Sequence, residues 1–405
     1  MTPKNTLIFL IFFVFSFSFG QKNIKSIQLR ALEKDNFSTI ISLGKTLELS
    51  FDDLDGDQKE YFYKIEHMTF DWKPSAIFPN EYIEGFQENT ISTYENSFNT
   101  LQNYTNYRVQ FPNRNTRITK TGNYLLSVLN DSNEVVFTRK FTLYKNESTV
   151  GVTILRGRNT LTSNQKQTVH FTINYNSNKI KNPTQELKVV VLQNENWNSA
   201  IYNLTPQFFK KNQLVYKYYE KASFWSGNEY LNFDNKQIRN STIQIARVEK
   251  RAIYNSYLYP QEARKNKPYT YFPDINGQFV IRTTEGANSY TEADYAKIHF
   301  SLKSEKTKNK EVYVYGAFNN FDLNLENKMT YNKFQKTYET SIILKQGFYN
   351  YTFATLENNK VNLHQINGSF FQTENEYKVI VFQKAFGENY YKAIGIGSGI
   401  INPQE

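Results

Sequence analysis

The feature that most constrains the fold of this chain is a hydrophobic pattern with a period of two residues. Leu47, Leu49 and Phe51 alternate with polar residues. Side chains alternate between the two faces of a β-strand, so this period predicts strands that bury one face. The same period recurs at residues 107–111, 124–128, 169–175 and 313–315. No sustained 3.6-residue stripe accompanies it, so we expect an all-β protein with little helix.

Turn sequences separate these strands and divide them into domain-sized segments. Residues 130–133, Asn-Asp-Ser-Asn, lie between two apolar runs and predict a turn. Polar stretches at residues 145–148 and 285–289 interrupt the strand pattern, and each resulting segment is near the size of one sandwich. We therefore predict three consecutive immunoglobulin-like or early-set β-sandwich domains, at residues 21–147, 148–288 and 289–405, the last with a C-terminal tail.

The first twenty residues have the organisation of a secretory signal peptide. Lys4 precedes an apolar run at residues 7–17, and Ser-Phe-Gly at residues 18–20 provides a small-x-small cleavage site. The run is too short for a transmembrane helix, which needs about 20 residues. We expect residues 1–20 to be removed on export, and no direct membrane span in the rest of the chain.

Charge and cysteine content exclude several classes of function. The 48 Lys and Arg residues exceed the 38 Asp and Glu residues, but the net charge of +10 is spread along the chain. Nucleic-acid binding requires a basic face or stripe, so we predict no nucleic-acid partner. The chain has no cysteine, which excludes disulfides, thiol catalysis and cysteine-based metal sites.

No motif predicts catalysis or a cofactor. Walker A, Gly-x-Gly-x-x-Gly and Gly-x-Ser-x-Gly patterns are absent. The four histidines lie far apart, and none has a metal-ligand partner at the usual spacing. They are His67, His170, His299 and His364. We predict that the protein is not an enzyme and has no catalytic residue, no cofactor and no metal site.

Two short motifs resemble known ligand loops. Residues 52–57, Asp-Asp-Leu-Asp-Gly-Asp, resemble a calcium loop but lack the twelfth-position Glu of an EF-hand, where Tyr63 stands. An acidic loop between two strands is the alternative interpretation, and the sequence leaves calcium binding open. Gly395, Gly397 and Gly399 resemble part of a nucleotide-binding loop, but no helix follows them, so we interpret them as a flexible tail.

Residues 63–113 concentrate aromatic and charged side chains. One interpretation is that these aromatics form a sandwich core. The other is that they are displayed on loops for a protein partner, since binding hot spots favour Tyr, Trp and Arg and binding residues concentrate on loops. Under the second interpretation, we predict partner-binding residues Asp71, Trp72, Lys73, Tyr82 and Phe86.

Several unusual short motifs also follow one another in order between about Leu43 and Asp234. They include Phe51-Asp52-Asp53-Leu54, Asp71-Trp72-Lys73-Pro74-Ser75, Ser97-Phe98-Asn99-Thr100, Tyr104-Thr105-Asn106-Tyr107 and Gly227-Asn228-Glu229-Tyr230. In this order they resemble the type IX secretion system plug protein family of Bacteroidota. Met68 and Asn106 depart from the family pattern, where relatives often carry Cys and His.

The resemblance implies a non-enzymatic periplasmic protein. Such a protein binds the periplasmic mouth of the giant outer-membrane β-barrel translocon, of the SprA or Sov type, and seals it when no substrate is passing. The resemblance also implies one monomer in a 1:1 complex with the barrel, associated with the outer membrane only through the translocon. The mechanism is steric, because a rigid stack of sandwiches deforms little.

The last segment supports an alternative. Residues 314–321 and 347–353 resemble the early-set sandwiches of glycogen-binding modules. Those modules usually carry Trp at the position of Phe321, and Phe is smaller and lacks the indole N–H donor. The alternative function is a secreted carbohydrate-binding β-sandwich protein. A secreted hydrolase has no support beyond scattered Asp and Glu residues.

Overall fold

The computed structural model describes residues 23–33 and 36–401, so the predicted signal peptide at residues 1–20 lies outside the described residues. Regular structure in the described part is almost entirely β, which confirms the predicted all-β class. The helices are single turns, and none is long and apolar enough to cross a membrane. They are α1 (Pro79–Tyr82), α2 (Pro183–Glu186) and α3 (His364–Asn367), with 3₁₀ turns at Trp197–Ser199 and Ala317–Asn319.

The first sandwich contains eleven strands. They are β1 (Ile24–Ala31), β2 (Ile40–Ser42), β3 (Leu47–Asp53), β4 (Phe62–Met68), β5 (Ile83–Gly85), β6 (Glu88–Thr90), β7 (Thr93–Asn96), β8 (Thr105–Phe111), β9 (Thr116–Ile118), β10 (Gly122–Leu129) and β11 (Val135–Tyr144). One sheet has the order β1-β3-β8-β7, and the facing sheet contains β11-β10-β4-β6. Phe51, Tyr61 and Tyr107 are buried between them in mutual ring contact. The β10–β11 hairpin turns at residues 130–133, as predicted.

The second sandwich begins directly after the first. Its strands are β12 (Thr149–Arg156), β13 (Lys166–Asn174), β14 (Leu187–Gln193), β15 (Phe208–Lys210), β16 (Gln213–Tyr216) and β17 (Ser223–Trp225). Five of these form one sheet, in the order β12-β13-β16-β15 with β17 beside β13. Only β14 contributes to the facing sheet, so this sandwich is incomplete at residue 225.

The third sandwich follows. Its strands are β18 (Leu231–Asp234), β19 (Ile245–Lys250), β20 (Tyr254–Leu258), β21 (Gln261–Glu262), β22 (Phe279–Ile281), β23 (Tyr295–Lys303), β24 (Glu311–Tyr315), β25 (Lys328–Asn332), β26 (Thr337–Lys345), β27 (Gly347–Glu357) and β28 (Lys360–Asn362). They pair in the order β18-β27-β24-β25-β26-β23-β20-β19, with β21, β22 and β28 at the sides. Phe233, Phe300 and Tyr351 lie in its buried core.

The chain then returns to the second sandwich. β29 (Asn375–Gln383) pairs with β14, and β30 (Lys392–Ile401) pairs with β29. Tyr377, Val379 and Ile394 share one hydrophobic core with Phe171 and Val191. The third sandwich is therefore inserted within the second.

This pairing differs from the predicted boundaries, which assigned residues 289–405 to one domain. Hydrophobic periodicity identifies strands but carries no information about which sheet a strand joins. The sequence therefore has no local signal that the chain returns to the second sandwich after the third. We propose instead a division into residues 24–144, residues 149–226 with 375–401, and residues 231–367.

The glycines near the C-terminus correct a second expectation. Gly395, Gly397 and Gly399 lie in β30, so the predicted flexible tail is a paired strand through residue 401. All three face β12, because residues two apart share one face of a strand. A Cβ at Gly397 would lie 2.4 Å from the backbone oxygen of Val150, so only glycine allows this close approach.

Candidate partner-binding surface

Three of the predicted partner-binding residues lie in a tight loop after β4. The Thr69 backbone N–H donates to the carbonyl oxygen of Lys73 at 2.7 Å, which closes the loop. Lys73 is exposed, and its ammonium pairs with the Asp71 carboxylate at 2.9 Å. Burial raises the pKa of Asp71, but hydrogen bonds from Lys73 and Thr69 outweigh burial and hold that pKa below its ordinary value.

Trp72 faces the second sandwich. Its backbone has a positive φ of 65°, and its ring meets Trp197 edge-on, with 4.7 Å between ring centroids. The Lys140 ammonium lies 4.8 Å from the centroid of the Trp72 ring. A fixed aromatic pair of this kind joins two domains. Trp72 is therefore an interdomain contact in the described structure.

The structure separates the other two predicted residues. Tyr82 is only 3% exposed, and its hydroxyl donates to the backbone oxygen of Ile65. It belongs to the core of the first sandwich and cannot contact a partner without unfolding. Phe86 follows β5 and is 67% exposed, so it is available for contact with a partner protein.

Phe86 lies at an open edge of the first sandwich. We call residues 86–98 the open edge: they contain β6 and β7, which end the two sheets of the sandwich. The outer side of each strand has no strand partner in the described part of the chain. The sequence prediction missed Tyr94 and Phe98, which are 40% and 69% exposed in the same segment. Only the sheet order identifies them, because the sequence does not show which strands end a sheet.

The open edge ends against the third sandwich. The Phe98 backbone N–H donates to the carbonyl oxygen of Thr291 at 2.9 Å. The Leu101 backbone N–H donates to the Asp294 carboxylate at 2.7 Å. These bonds fix the position of the open edge relative to the third sandwich.

A buried polar cluster joins the first and third sandwiches beside it. The Lys345 ammonium donates to the Asp52 carboxylate at 2.7 Å, and both side chains are at most 2% exposed. Tyr295 and Asn106 also donate to this carboxylate, at 2.6 and 2.7 Å. Burial lowers the pKa of Lys345, and Asp52 opposes that shift. A buried pair with its hydrogen bonds satisfied fixes one arrangement of the two domains.

The seam between the second and third sandwiches holds a different cluster. Glu229 accepts hydrogen bonds from the Tyr269 hydroxyl and the Glu374 backbone N–H, but no ion pair in the described residues involves it. Burial raises the pKa of Glu229 to about 7. Burial also raises the pKa of the neighbouring Asp274 to about 6. Burial lowers the pKa of the nearby Arg264 to about 10, although the charges of Glu229 and Asp274 oppose that shift.

The acidic loop at residues 52–57 already contains a cation. Asp53, Asp55 and Asp57 are the only group of three possible metal-ligating side chains found across residues 23–33 and 36–401. The Lys59 ammonium contacts all three carboxylates, with Asp53 at 2.9 Å and Asp57 at 3.5 Å. Lys59 therefore places one positive charge among these carboxylates, where a calcium ion would bring two.

Phe321, at the position proposed for sugar binding, is half-buried and contacts other parts of the protein. The backbone oxygen of Phe321 accepts a hydrogen bond from Asn198 of the second sandwich at 3.1 Å. Its ring packs against Tyr315, with 5.3 Å between centroids. Phe321 thus lies at a domain junction, in contrast to the open platform on which sugars stack.

Comparison with known proteins adds a family and a fold. Residues 24–145 match the family model described as the type 9 secretion system plug protein 1st domain. A crystal structure of a hypothetical protein from Parabacteroides merdae is similar over 94% of this chain and 98% of that one, with 30% identity and a TM-score of 0.90. Trypsin-activated alpha-2-macroglobulin from Escherichia coli, at 9% identity, has a TM-score of only 0.19 over 93% of this chain and 23% of that one, so it supports no conclusion. No curated protein matches the chain.

Proposed function

Because this chain belongs to the type IX secretion system plug protein family, we propose that it binds the periplasmic mouth of the system's giant outer-membrane β-barrel translocon and seals it when no substrate is passing. The partner is a translocon of the SprA or Sov type. The protein acts without catalysis, as one monomer for each barrel, and it resides in the periplasm. Sealing is steric.

The observation that carries this proposal is the way the three sandwiches are joined. The first and second share a continuous sheet through β11 and β30, together with the Trp72–Trp197 pair. The first and third share the buried Asp52–Lys345 pair. A stopper must resist deformation by the barrel it closes. Buried, satisfied polar contacts and a sheet that crosses a domain boundary both restrict such deformation.

The open edge supplies the docking surface in this proposal. Phe86, Tyr94 and Phe98 are exposed aromatics beside unpaired strand edges. Aromatic side chains supply much of the binding energy in protein interfaces, and an unpaired edge can accept a strand or loop of a partner. Asp71 and Lys73, on the loop that follows β4, remain predicted contact residues.

The test is capture of the translocon from detergent-solubilised outer membranes by the tagged chain from Gln21 to Glu405. We expect one very large β-barrel protein among the captured proteins. The triple variant Phe86→Ser, Tyr94→Ser and Phe98→Ser should capture at least about tenfold less translocon, because the interface loses three exposed aromatic side chains. Recovery of no barrel protein would overturn the proposed function.

A matched control separates loss of contact from loss of surface hydrophobicity. Leu325 and Phe334 are exposed on the third sandwich, at 85% and 100%. Replacing both by Ser should leave capture unchanged.

Sealing is tested by the conductance of the purified translocon in planar bilayers. Addition of the protein should reduce that conductance, and an unchanged conductance would show binding without sealing.

A further inference from the structure

β15 is an exposed edge strand of the second sandwich, whereas its partner β16 is buried in that sandwich. β15 ends its sheet and pairs only with β16, where Phe209 lies opposite Leu214. Phe208 and Phe209 are adjacent, so their side chains point to opposite faces of the strand. They are nevertheless 56% and 58% exposed. Both faces of β15 are therefore exposed in the described protein.

The same hairpin is basic. Lys210, Lys211 and Lys217 are exposed, and residues 196–219 contain no Asp or Glu. None of the three lysines forms an ion pair within the part of the chain that the structure describes. The Lys217 backbone N–H donates to the Gln207 side chain at 2.7 Å, which places this lysine next to Phe208. The positive charge thus surrounds the two phenylalanines.

We propose that the β15–β16 hairpin contacts a phospholipid surface, with Phe208 and Phe209 in the interfacial layer and the lysines on anionic headgroups. A protein surface docked on one face of β15 would leave one of the two phenylalanines in water, whereas lipid can surround both. Aromatic residues favour the membrane interface, and neighbouring basic residues add attraction to anionic lipid. The contact is peripheral and needs no membrane span. The hairpin makes it whether or not the chain plugs a translocon.

The test is flotation of the chain from Gln21 to Glu405 with vesicles. This chain retains every described residue and omits the apolar run at residues 7–17, which could bind lipid by itself. We expect flotation with vesicles of equal parts phosphatidylglycerol and phosphatidylcholine, and much less with phosphatidylcholine alone. Salt at about 1 M should release the protein, because it shortens the Debye length to about 3 Å.

Two hairpin variants test the two contributions separately. Phe208→Ala with Phe209→Ala should weaken binding about tenfold or more, because two aromatic rings no longer leave water. Lys210→Ala with Lys211→Ala should weaken it about 25-fold, since each lysine near an anionic surface contributes about fivefold. All four side chains are exposed, so thermal melting should be unchanged.

Matched controls use the same residue types elsewhere. Phe334→Ala removes one fully exposed Phe, and Lys306→Ala with Lys308→Ala removes two lysines of an exposed loop on the third sandwich. These variants should bind vesicles like the parent. The proposal is overturned if the parent does not float at low salt, or if the hairpin variants float equally well. It is also overturned if the hairpin variants lose only translocon capture, because the hairpin is then a protein contact.

Discussion

The outer face of β3 and the open edge are both polar in sequence, but the first is buried in the structure and the second is exposed. Glu48, Ser50 and Asp52 alternate with the apolar residues of β3, and the sequence predicts a solvated face for them. All three are buried, because the third sandwich covers this face. The open edge also consists mainly of polar residues, and it remains exposed on both strands.

The difference lies in what each polar group contacts. On β3, the Asp52 carboxylate meets Lys345, and the Glu48 carboxylate accepts from the Tyr290 hydroxyl at 2.7 Å. On the open edge, no described strand pairs with the outer side of β7. A polar strand face can thus mark an internal joint, whereas exposed aromatics on an unpaired edge mark a surface available to another protein.

The largest expected effect comes from disrupting the buried contact between the first and third sandwiches. Lys345→Met leaves Asp52 as a buried carboxylate without its cation. We expect the free energy of unfolding to fall by about 3–5 kcal/mol, the usual cost of an uncompensated buried charge. Urea unfolding followed by tryptophan fluorescence measures it. A loss below about 1 kcal/mol would mean that Asp52 finds another partner.

The double variant Asp52→Leu with Lys345→Met is the matched control. It removes both charges, so it should recover most of the stability that Lys345→Met loses, because no buried charge remains. A double variant that is as unstable as the single one would show that packing at this joint matters more than charge.

A smaller effect comes from the seam that contains Glu229, which has no lysine to balance it. Its pKa of about 7 lies above the value of 4.5 expected when unfolded. The stabilisation is therefore fully present below about pH 4.5 and is lost as pH rises through 7. Relative to Glu229→Gln, we expect the free energy of unfolding to fall by about 3 kcal/mol between about pH 5 and pH 8.

The difference in the free energy of unfolding between parent and variant cancels the contributions of the other titrating groups. Titration of Asp274 changes the free energy of unfolding with pH in the same direction as titration of Glu229. His67 acts oppositely, because burial lowers its pKa to about 4 and its contribution is lost as pH falls below its ordinary value of 6.5. Urea titrations of both proteins across this pH range give the difference, and parallel curves would contradict the assignment to Glu229.

The smallest expected effect is on the open edge. Phe86→Ser and Phe98→Ser remove side chains that are 67% and 69% exposed, so each should change the free energy of unfolding by less than about 0.5 kcal/mol. Thermal melting of each variant checks this. A loss comparable to that of Lys345→Met would show that these aromatics stabilise the fold, and the open edge would then be a poor candidate for docking.

The sequence predicted the all-β class because the period-two pattern is local. It did not predict the insertion of the third sandwich, since β29 and β30 look like any other strands. The glycines of β30 were misread for the same reason. Close packing of β30 on β12 explains these glycines, and that contact joins residues almost 250 positions apart, such as Val150 and Gly397.

The candidate site was only partly predictable. Composition identified residues 63–113 as informative, and Phe86 is exposed as expected. Tyr82 is buried in the core of the first sandwich, and no local sequence signal distinguishes a buried Tyr in a short helical turn from an exposed one. Trp72 lies between sandwiches, and Tyr94 and Phe98 became evident only when the sheet order showed that β7 ends its sheet.

The insertion of one sandwich within another fixes an order of assembly. As the chain is made from its amino terminus, the first sandwich is complete at residue 144, but β14 must wait for β29 and β30, after the whole third sandwich. Until then, one apolar face of β13 and β14 has no cover. A nascent chain of this protein therefore needs protection from aggregation for more than 150 residues beyond β17, and truncation near the carboxyl end damages the middle of the molecule.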